Sequence, residues 1–261
     1  MTGTRVALLG LGEAGQAFAA DLAAAGMAVR AWDPLVGDAP DGVRIATSAS
    51  DAVRGAELVL SLNAAAVALA AAQEVASALH AGVIYADLNA AAPSLKVAVA
   101  AVVEASGAQF ADVALMGQVP GSGARTPSLV SGSGAAGYAQ AIAAAVAAPI
   151  EVLSATAGEA ATRKLLRSVF MKGLAAISIE ALAAAEAAEL GPWMHAELVA
   201  AYEGADRALL SRLLDGSRIH ASRRVHEMEA AREMLDALGT PSRMTQGAVG
   251  WLEQLAVEGR G

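Results

Sequence analysis

Apolar runs of strand length recur through the first 153 positions and then stop. "RVALLG" (5–10), "AVRAW" (28–32), "AELVLSL" (56–62) and "GVIYADL" (82–88) lead, and "AQFADVAL" (108–115) and "PSLVSG" (127–132) follow. Such near-continuous runs of Val, Leu and Ile mark strands covered on both faces. Alanine-rich helical segments lie between several of them, the first over 15–25 and stopped by Gly26. Strands alternating with helices predict an α/β fold, an N-terminal Rossmann-type doubly wound parallel sheet with right-handed crossovers. Beyond 158 the period changes. "GEAATRKLLRSVFMKGLAAISIEALAAAEAAELG" is one long helical pattern, closed by Gly191 and Pro192. Further helices are predicted over 193–203, 205–235 with a break near "DGS", and 241–257. The expected organisation is a Rossmann domain over 1–157, then a long connecting helix opening a small all-α domain over 158–261.

Composition narrows the class. About a quarter of the residues are alanine, so the 56% hydrophobic content, with only 3% aromatic, reflects small side chains. No uninterrupted apolar run reaches the roughly 18 residues of a membrane span, and the N-terminus lacks a signal-peptide pattern. The absence of cysteine excludes disulfides and thiolate chemistry. A cytoplasmic protein with no membrane partner is expected. The net charge of −8 and the lack of a basic stripe argue against nucleic acid. Lysine is scarce against arginine, which makes each lysine a candidate for a chemical role. His195, His220 and His226 lack metal-ligand spacing, so no metal is expected.

The stretch "LLGLGEAGQAFAADLAAAGMAVRAWDP" (8–34) carries the first candidate site. Gly10, Gly12 and Gly15 stand in G-x-G-x-x-G spacing between a predicted strand and a predicted helix, the context a dinucleotide requires. The first glycine makes the turn, the second admits a pyrophosphate, and the third packs helix on strand. With Leu11, Glu13 and Ala14 they would set backbone N–H groups against the phosphates. Asp33 ends the second strand, 18 residues after Gly15. Its carboxylate can accept from adenosine ribose hydroxyls and would repel a 2′-phosphate, so NAD is expected over NADP. Arg30 leaves NADP possible. Asn63, at the end of the third strand, is placed to touch the cofactor.

These motifs resemble the β-hydroxyacid dehydrogenases, the superfamily of 3-hydroxyisobutyrate and 6-phosphogluconate dehydrogenases, and most of all a bacterial branch with a short helical C-terminal domain. "DLNAAAP" (87–93) sits where the family has D-x-S-T-x-x-P, "DVALMGQVPGSG" (112–123) where it has D-A-P-V-S-G-G, and "GEAATRKLL" (158–166) where it has G-x-G-x-x-x-K. The resemblance implies an NAD(P)-dependent oxidoreductase moving hydride between nicotinamide and a small β-hydroxy acid or its semialdehyde. Lys164 would be the general acid/base. A partly desolvated lysine with lowered pKa suits that proton exchange.

The resemblance also places Asn89, Met116, Gly117, Gln118 and Ser168 against a small anionic substrate, with Asn89 near the nicotinamide too. At about 100° per residue Lys164 and Ser168 share one helix face with Lys172 at its margin, so the three are candidates to line one cleft. Arg125 is a candidate for pairing a substrate carboxylate. Departures from the family concentrate on substrate-facing positions: Asn89 and Ala90 replace Ser-Thr, Met116 and Gln118 replace Ser and Gly, Ala160 replaces Gly, and Ser168 replaces Asn. The long C-terminal domain of 6-phosphogluconate dehydrogenase is absent, so that activity is not implied. Two alternatives stand: an imine reductase, although such enzymes usually lack the lysine, or a non-catalytic nucleotide-binding protein. The apolar long helix and the small helical domain predict a homodimer.

Overall fold

The computed structural model describes residues 3–259. Its strands are β1 (Arg5–Leu9), β2 (Ala28–Trp32), β3 (Arg44–Ile45), β4 (Leu58–Ser61), β5 (Ile84–Asp87), β6 (Gln109–Leu115), β7 (Ser128–Ser131) and β8 (Ile150–Val152). They form one sheet in the order β3-β2-β1-β4-β5-β6-β7-β8. The first six are parallel; β7 returns antiparallel to β6, and β8 runs parallel to β7. The order reverses between β1 and β4, which opens a crevice at their carboxyl ends where such sheets take ligands.

Helices α1 (Glu13–Ala24), α2 (Ala49–Val53), α3 (Ala68–Val75), α4 (Pro93–Ala105) and α5 (Ala135–Val146) cover the sheet. In α1 the buried residues are Gly15, Phe18, Ala19 and Leu22, one stripe at helical spacing. They join Tyr138 and Ile142 of α5 against Val6, Leu8, Ala31 and Leu60 on one face. On the other face Ala7, Leu9, Val59, Tyr85 and Phe110 meet Ala52 of α2, Val75 of α3, and Val99 and Val103 of α4. Pro93 opens α4, where its missing N–H costs nothing.

The helical region holds α6 (Glu159–Ala187), α7 (Gly191–Glu203), α8 (Arg207–Ile219), α9 (Ala221–Ala237) and α10 (Arg243–Glu258). Two expected boundaries shift. The chain leaves α6 at Glu189, which takes φ +59°, and Gly191 and Pro192 start α7 instead of closing α6. Helix α8 runs through "DGS" and ends at Ile219, with His220 as its cap. A Cβ at Gly216 would lie 3.0 Å from Arg224 Nη2, so this glycine makes room for a packed arginine, whose Nη1 donates to Ser217 Oγ at 2.8 Å.

The chain forms two compact units, one ending at Arg167 and the other beginning at Ser168. The α/β unit thus extends into α6, past the expected limit at 157. Ala160 and Ala161 are buried there, and their N–H groups are bonded within that unit. By length and composition α6 would suffice to span a bilayer, although it holds no uninterrupted apolar run of that length. The discrepancy arises because Lys172 and Glu180 break the run without greatly lowering its average. Within the helical unit Glu180 is buried and accepts from Met244 N (2.7 Å) and from Thr245 N and Oγ1 (2.8 and 2.7 Å), which caps α10. Burial works against its charge, but these bonds prevail and hold its carboxyl below the usual glutamate value.

Candidate active site

The glycine turn is built as a dinucleotide would need it. Gly10 has φ +107°, and a Cβ there would collide with the Leu62 carbonyl oxygen. A Cβ on Gly15 would collide with the Gly10 carbonyl, which is the close helix–strand approach the third glycine permits. Gly12 differs: beyond its chain neighbours, no protein atom lies within 4 Å of where its Cβ would be. The open space lies at the N-terminus of α1, whose first N–H groups have no acceptor within the helix. That combination fits a pyrophosphate.

Asp33 follows β2. Its Oδ2 accepts from Leu11 N at 2.8 Å, and its Oδ1 from Leu35 N and Val36 N at 2.8 and 3.0 Å. Partial burial opposes ionisation, but the three N–H bonds outweigh it and hold the carboxyl below its ordinary 3.8. A carboxylate offers about four lone-pair directions, so acceptor capacity remains for ribose hydroxyls. Gly10, Trp32, Asp33, Asn63 and Glu74 line one cavity of about 390 Å³. Arg30 does not join them: its Nη2 lies 2.8 Å from Asp51 Oδ1.

Next to this crevice the sheet carries a row of polar residues. Ser61, Asp87, Asp112 and Ser131 are register partners across β4, β5, β6 and β7, and all four are 0% exposed. Lys96, on α4, reaches down onto them and is itself only 1% exposed. Its Nζ donates to the Asp87 carbonyl at 2.7 Å and lies 3.4 Å from Asp87 Oδ2 and 3.3 Å from Asp112 Oδ1. Burial raises the Asp87 carboxyl above its usual value, and the Lys96 charge only partly offsets that.

Asn89 belongs to the same row. Its Nδ2 donates to Asp87 Oδ1 at 2.6 Å and to Ser61 Oγ at 3.2 Å, and its backbone N donates to Asp87 Oδ1 at 2.9 Å. The side chain is 4% exposed. Its amide hydrogens are therefore engaged inside the protein, and the expected donation to substrate or nicotinamide gives way to a role in shaping the turn. The turn-making carboxylate is Asp87, not a side chain of the loop.

Met116, Gly117 and Gln118 directly follow β6, with Gly117 and Gln118 exposed. The glycine-rich loop after them is docked on α1: Asp21 accepts from Ala124 N at 2.9 Å and pairs with Arg125 at 3.3 Å. Arg125 is thus held by Asp21, in place of the expected substrate carboxylate. Lys164 is half-buried on the second turn of α6. The turn before it is pinned to the polar row, with Ala160 N on Ser131 Oγ and Ala161 N on Asp112 Oδ2, both at 3.0 Å. Ser168 and Lys172 continue along α6 in the helical unit, half-buried and exposed respectively.

The model of the NAD-binding domain of 6-phosphogluconate dehydrogenase matches residues 5–172. The chain belongs to this 6-phosphogluconate dehydrogenase-like family. Residues 185–255 match a domain of unknown function, DUF1932, the short helical C-terminal domain of its branch. The family is one of NAD(P)-binding oxidoreductases. A conserved hypothetical protein from Sinorhizobium meliloti is 30% identical, with a TM-score of 0.65, covering 98% of this chain and 88% of that one. A conserved protein of unknown function, described as similar to 3-hydroxyacid dehydrogenases, is 28% identical with a TM-score of 0.63, over 97% and 98%. An imine reductase from Aspergillus terreus, bound to NADPH4 and dibenz[c,e]azepine, shares the fold at 22% identity and a TM-score of 0.82, over 100% and 96%. No curated protein matches the chain.

Proposed function

We propose that this family member transfers hydride between a nicotinamide cofactor and a small β-hydroxy acid or its semialdehyde. The observation that carries the reading is the pinning of α6 to the carboxyl-end row of the cofactor-binding sheet, one turn ahead of Lys164. Bound nicotinamide supplies or accepts the hydride. Gly10, Gly12 and Gly15 hold the cofactor's phosphates and Asp33 its ribose. Lys164 gives a proton to the carbonyl oxygen as it becomes a hydroxyl, and takes one back in the reverse direction. Its charge also favours an anionic substrate. The decisive experiment is NADH oxidation with a panel of small β-semialdehydes, β-keto acids and cyclic imines.

Imine reduction is the second reading, favoured by the greater backbone similarity to the Aspergillus terreus enzyme. Against it stands Lys164, because an ammonium beside an iminium cation is repelled. Turnover of the imines alone would select that reading. Tight NADH binding with no turnover of any compound would select a nucleotide-binding protein without catalysis.

NADH is expected to bind more tightly than NADPH. Asp33 would face the 2′-phosphate, Arg30 is tied to Asp51, and residues 34–43 add Asp38 and Asp41 without a cation. The like-charge juxtaposition should cost about 1 to 3 kcal/mol, or roughly ten- to hundredfold in affinity. Fluorescence titration with both cofactors measures this, and equal or tighter NADPH binding would reverse it.

We also propose a cytoplasmic homodimer. In the single chain Val169, Phe170 and Ile179 of α6 stay exposed, as do Trp193 and Trp251 of the helical unit. Soluble monomers seldom leave so many large apolar side chains in water. A second copy offers the same surface, which suits a two-fold contact. Light scattering should give twice the 26.0 kDa chain mass; a single-chain mass at micromolar concentration would refute the dimer.

A further inference from the structure

Lys96 plays no part in the hydride chemistry above, yet it is the most deeply buried cation among the described residues. Each of its two carboxylate partners divides its oxygens the same way. Asp87 turns Oδ2 to Lys96 and Oδ1 to the Asn89 turn. Asp112 turns Oδ1 to Lys96 and Oδ2 to Ala161 N, with Ser131 Oγ donating to that Oδ2 at 3.4 Å. Asp87 Oδ2 and Asp112 Oδ1 are buried with no hydrogen-bond partner. The ammonium therefore provides the compensating contact for both inner oxygens and sets the rotation of both carboxylates.

We propose that Lys96 is a positioning residue: through Asp112 it fixes where α6 begins, and so where Lys164 stands. The link is short, from Lys96 Nζ to Asp112, from Asp112 to Ala161 N, and one helical turn from there to Lys164. A second arm through Asp87 holds the Asn89 turn. Asparagine could not replace Asp112, because Lys96, Ala161 N–H and the Ser131 hydroxyl are all donors and the residue must accept at both ends. The consequence for turnover rests on Lys164 being the general acid/base; the consequence for the start of α6 does not.

The test separates positioning from charge balance. Lys96→Met alone strands two buried carboxylates, so it is combined with Asp87→Asn. The double variant keeps the net charge of the trio at −1, and it retains both side chains that accept from α6, Asp112 and Ser131. Its melting temperature should recover over the single variant. Hydrogen exchange over residues 158–167 should nevertheless rise about tenfold, the mark of a locally loosened segment. Turnover should fall by about one to two orders of magnitude, because a displacement of about 1 Å can cost roughly a hundredfold. NADH affinity should stay within about threefold of wild type, since the double variant leaves the glycine turn and Asp33 intact.

Wild-type exchange over 158–167 in the stable double variant would overturn the proposal, since Lys96 would then only balance charge. Should the double variant fail to fold, Lys96→Arg decides, since it keeps the charge but not the Nζ geometry: raised exchange at 158–167 supports positioning, and wild-type exchange means that charge balance alone suffices. If the wild type reduces no compound in the panel, the exchange readout still stands, so failure of the oxidoreductase reading is distinguishable from failure of this one.

Discussion

Lys164→Met is expected to abolish most turnover while leaving NADH binding nearly unchanged. The cofactor phosphates and ribose are assigned to Gly10, Gly12, Gly15 and Asp33, none of which lies on α6. Methionine roughly fills the space of the lysine stem and keeps good helix propensity, so unfolding would not explain the loss. It cannot exchange a proton. Losing a positioned general acid costs about 10²- to 10⁴-fold in rate, or roughly 3 to 5 kcal/mol of transition-state stabilisation. The measurements are kcat with the best substrate of the panel and NADH affinity by fluorescence. Lys172→Met is the matched control: that lysine is exposed, and its loss should change turnover by no more than about twofold. Wild-type turnover in the Lys164 variant would make it an ordinary helix lysine and remove the chemical basis of the dehydrogenase reading.

What was legible in the sequence were features whose physics is local. The strand–glycine–helix turn and the acid at the end of β2 announce themselves because each glycine answers a backbone demand at a fixed spacing. Strands buried on both faces announce themselves by apolar runs. The short strands β3 and β8 do not: they sit at the two edges of the sheet, and Arg44, Ile45, Glu151 and Val152 are all exposed. Gly191 and Pro192 illustrate a sign error of another kind. The pair suits a helix start as well as a stop, and only the left-handed turn at Glu189 shows which applies.

The candidate site was legible in part. Asn89 and Arg125 stand out in the sequence as candidates for contacting substrate, but sequence does not say which way a side chain turns. Both are engaged by carboxylates of the protein itself, Asn89 by Asp87 two residues before it and Arg125 by the distant Asp21. Lys96 was missed although a signal existed. In "PSLKVAVAAVV" it falls on the stripe of Val99, Ala100 and Val103, three and more residues on, and that stripe is the buried face of α4. A lysine on the apolar stripe of a helix that follows one Asp-ended strand and precedes an Asp-bearing one is a buried counterion in prospect. A lysine in the first turn of a helix is more readily taken for a solvated one.

Lys96→Met on its own is expected to be strongly destabilising, and its effect should depend on pH. Removing one member of a buried ion cluster while its partners remain costs about 3 to 5 kcal/mol. For a chain of this length that lowers Tm by roughly 10 °C or more. The sign of the pH effect follows from Asp87, whose carboxyl burial already raises above 3.8 and which Lys96 pulls back only in part. Without the ammonium only the two Asn89 hydrogen bonds to Oδ1 still favour the charged form, and they do not offset the burial. Tyr85 is neutral, its hydroxyl pushed up chiefly by burial, with the Asp87 charge adding to it. Asp112 contributes only a second negative charge. A carboxyl whose folded value is raised gives stability that is complete below its unfolded value and is lost as pH rises through the folded one. The variant's folded value lies higher than the wild type's, so its loss extends further up the scale. Thermal melts should therefore show the gap in Tm between variant and wild type widening as pH rises above the ordinary aspartate range, and narrowing on acidification as the Asp87 carboxylate takes up a proton. A gap that is constant with pH would mean that Asp87 does not feel the loss of Lys96. The lysine would then be a packed stem whose charge is neutralised by other means.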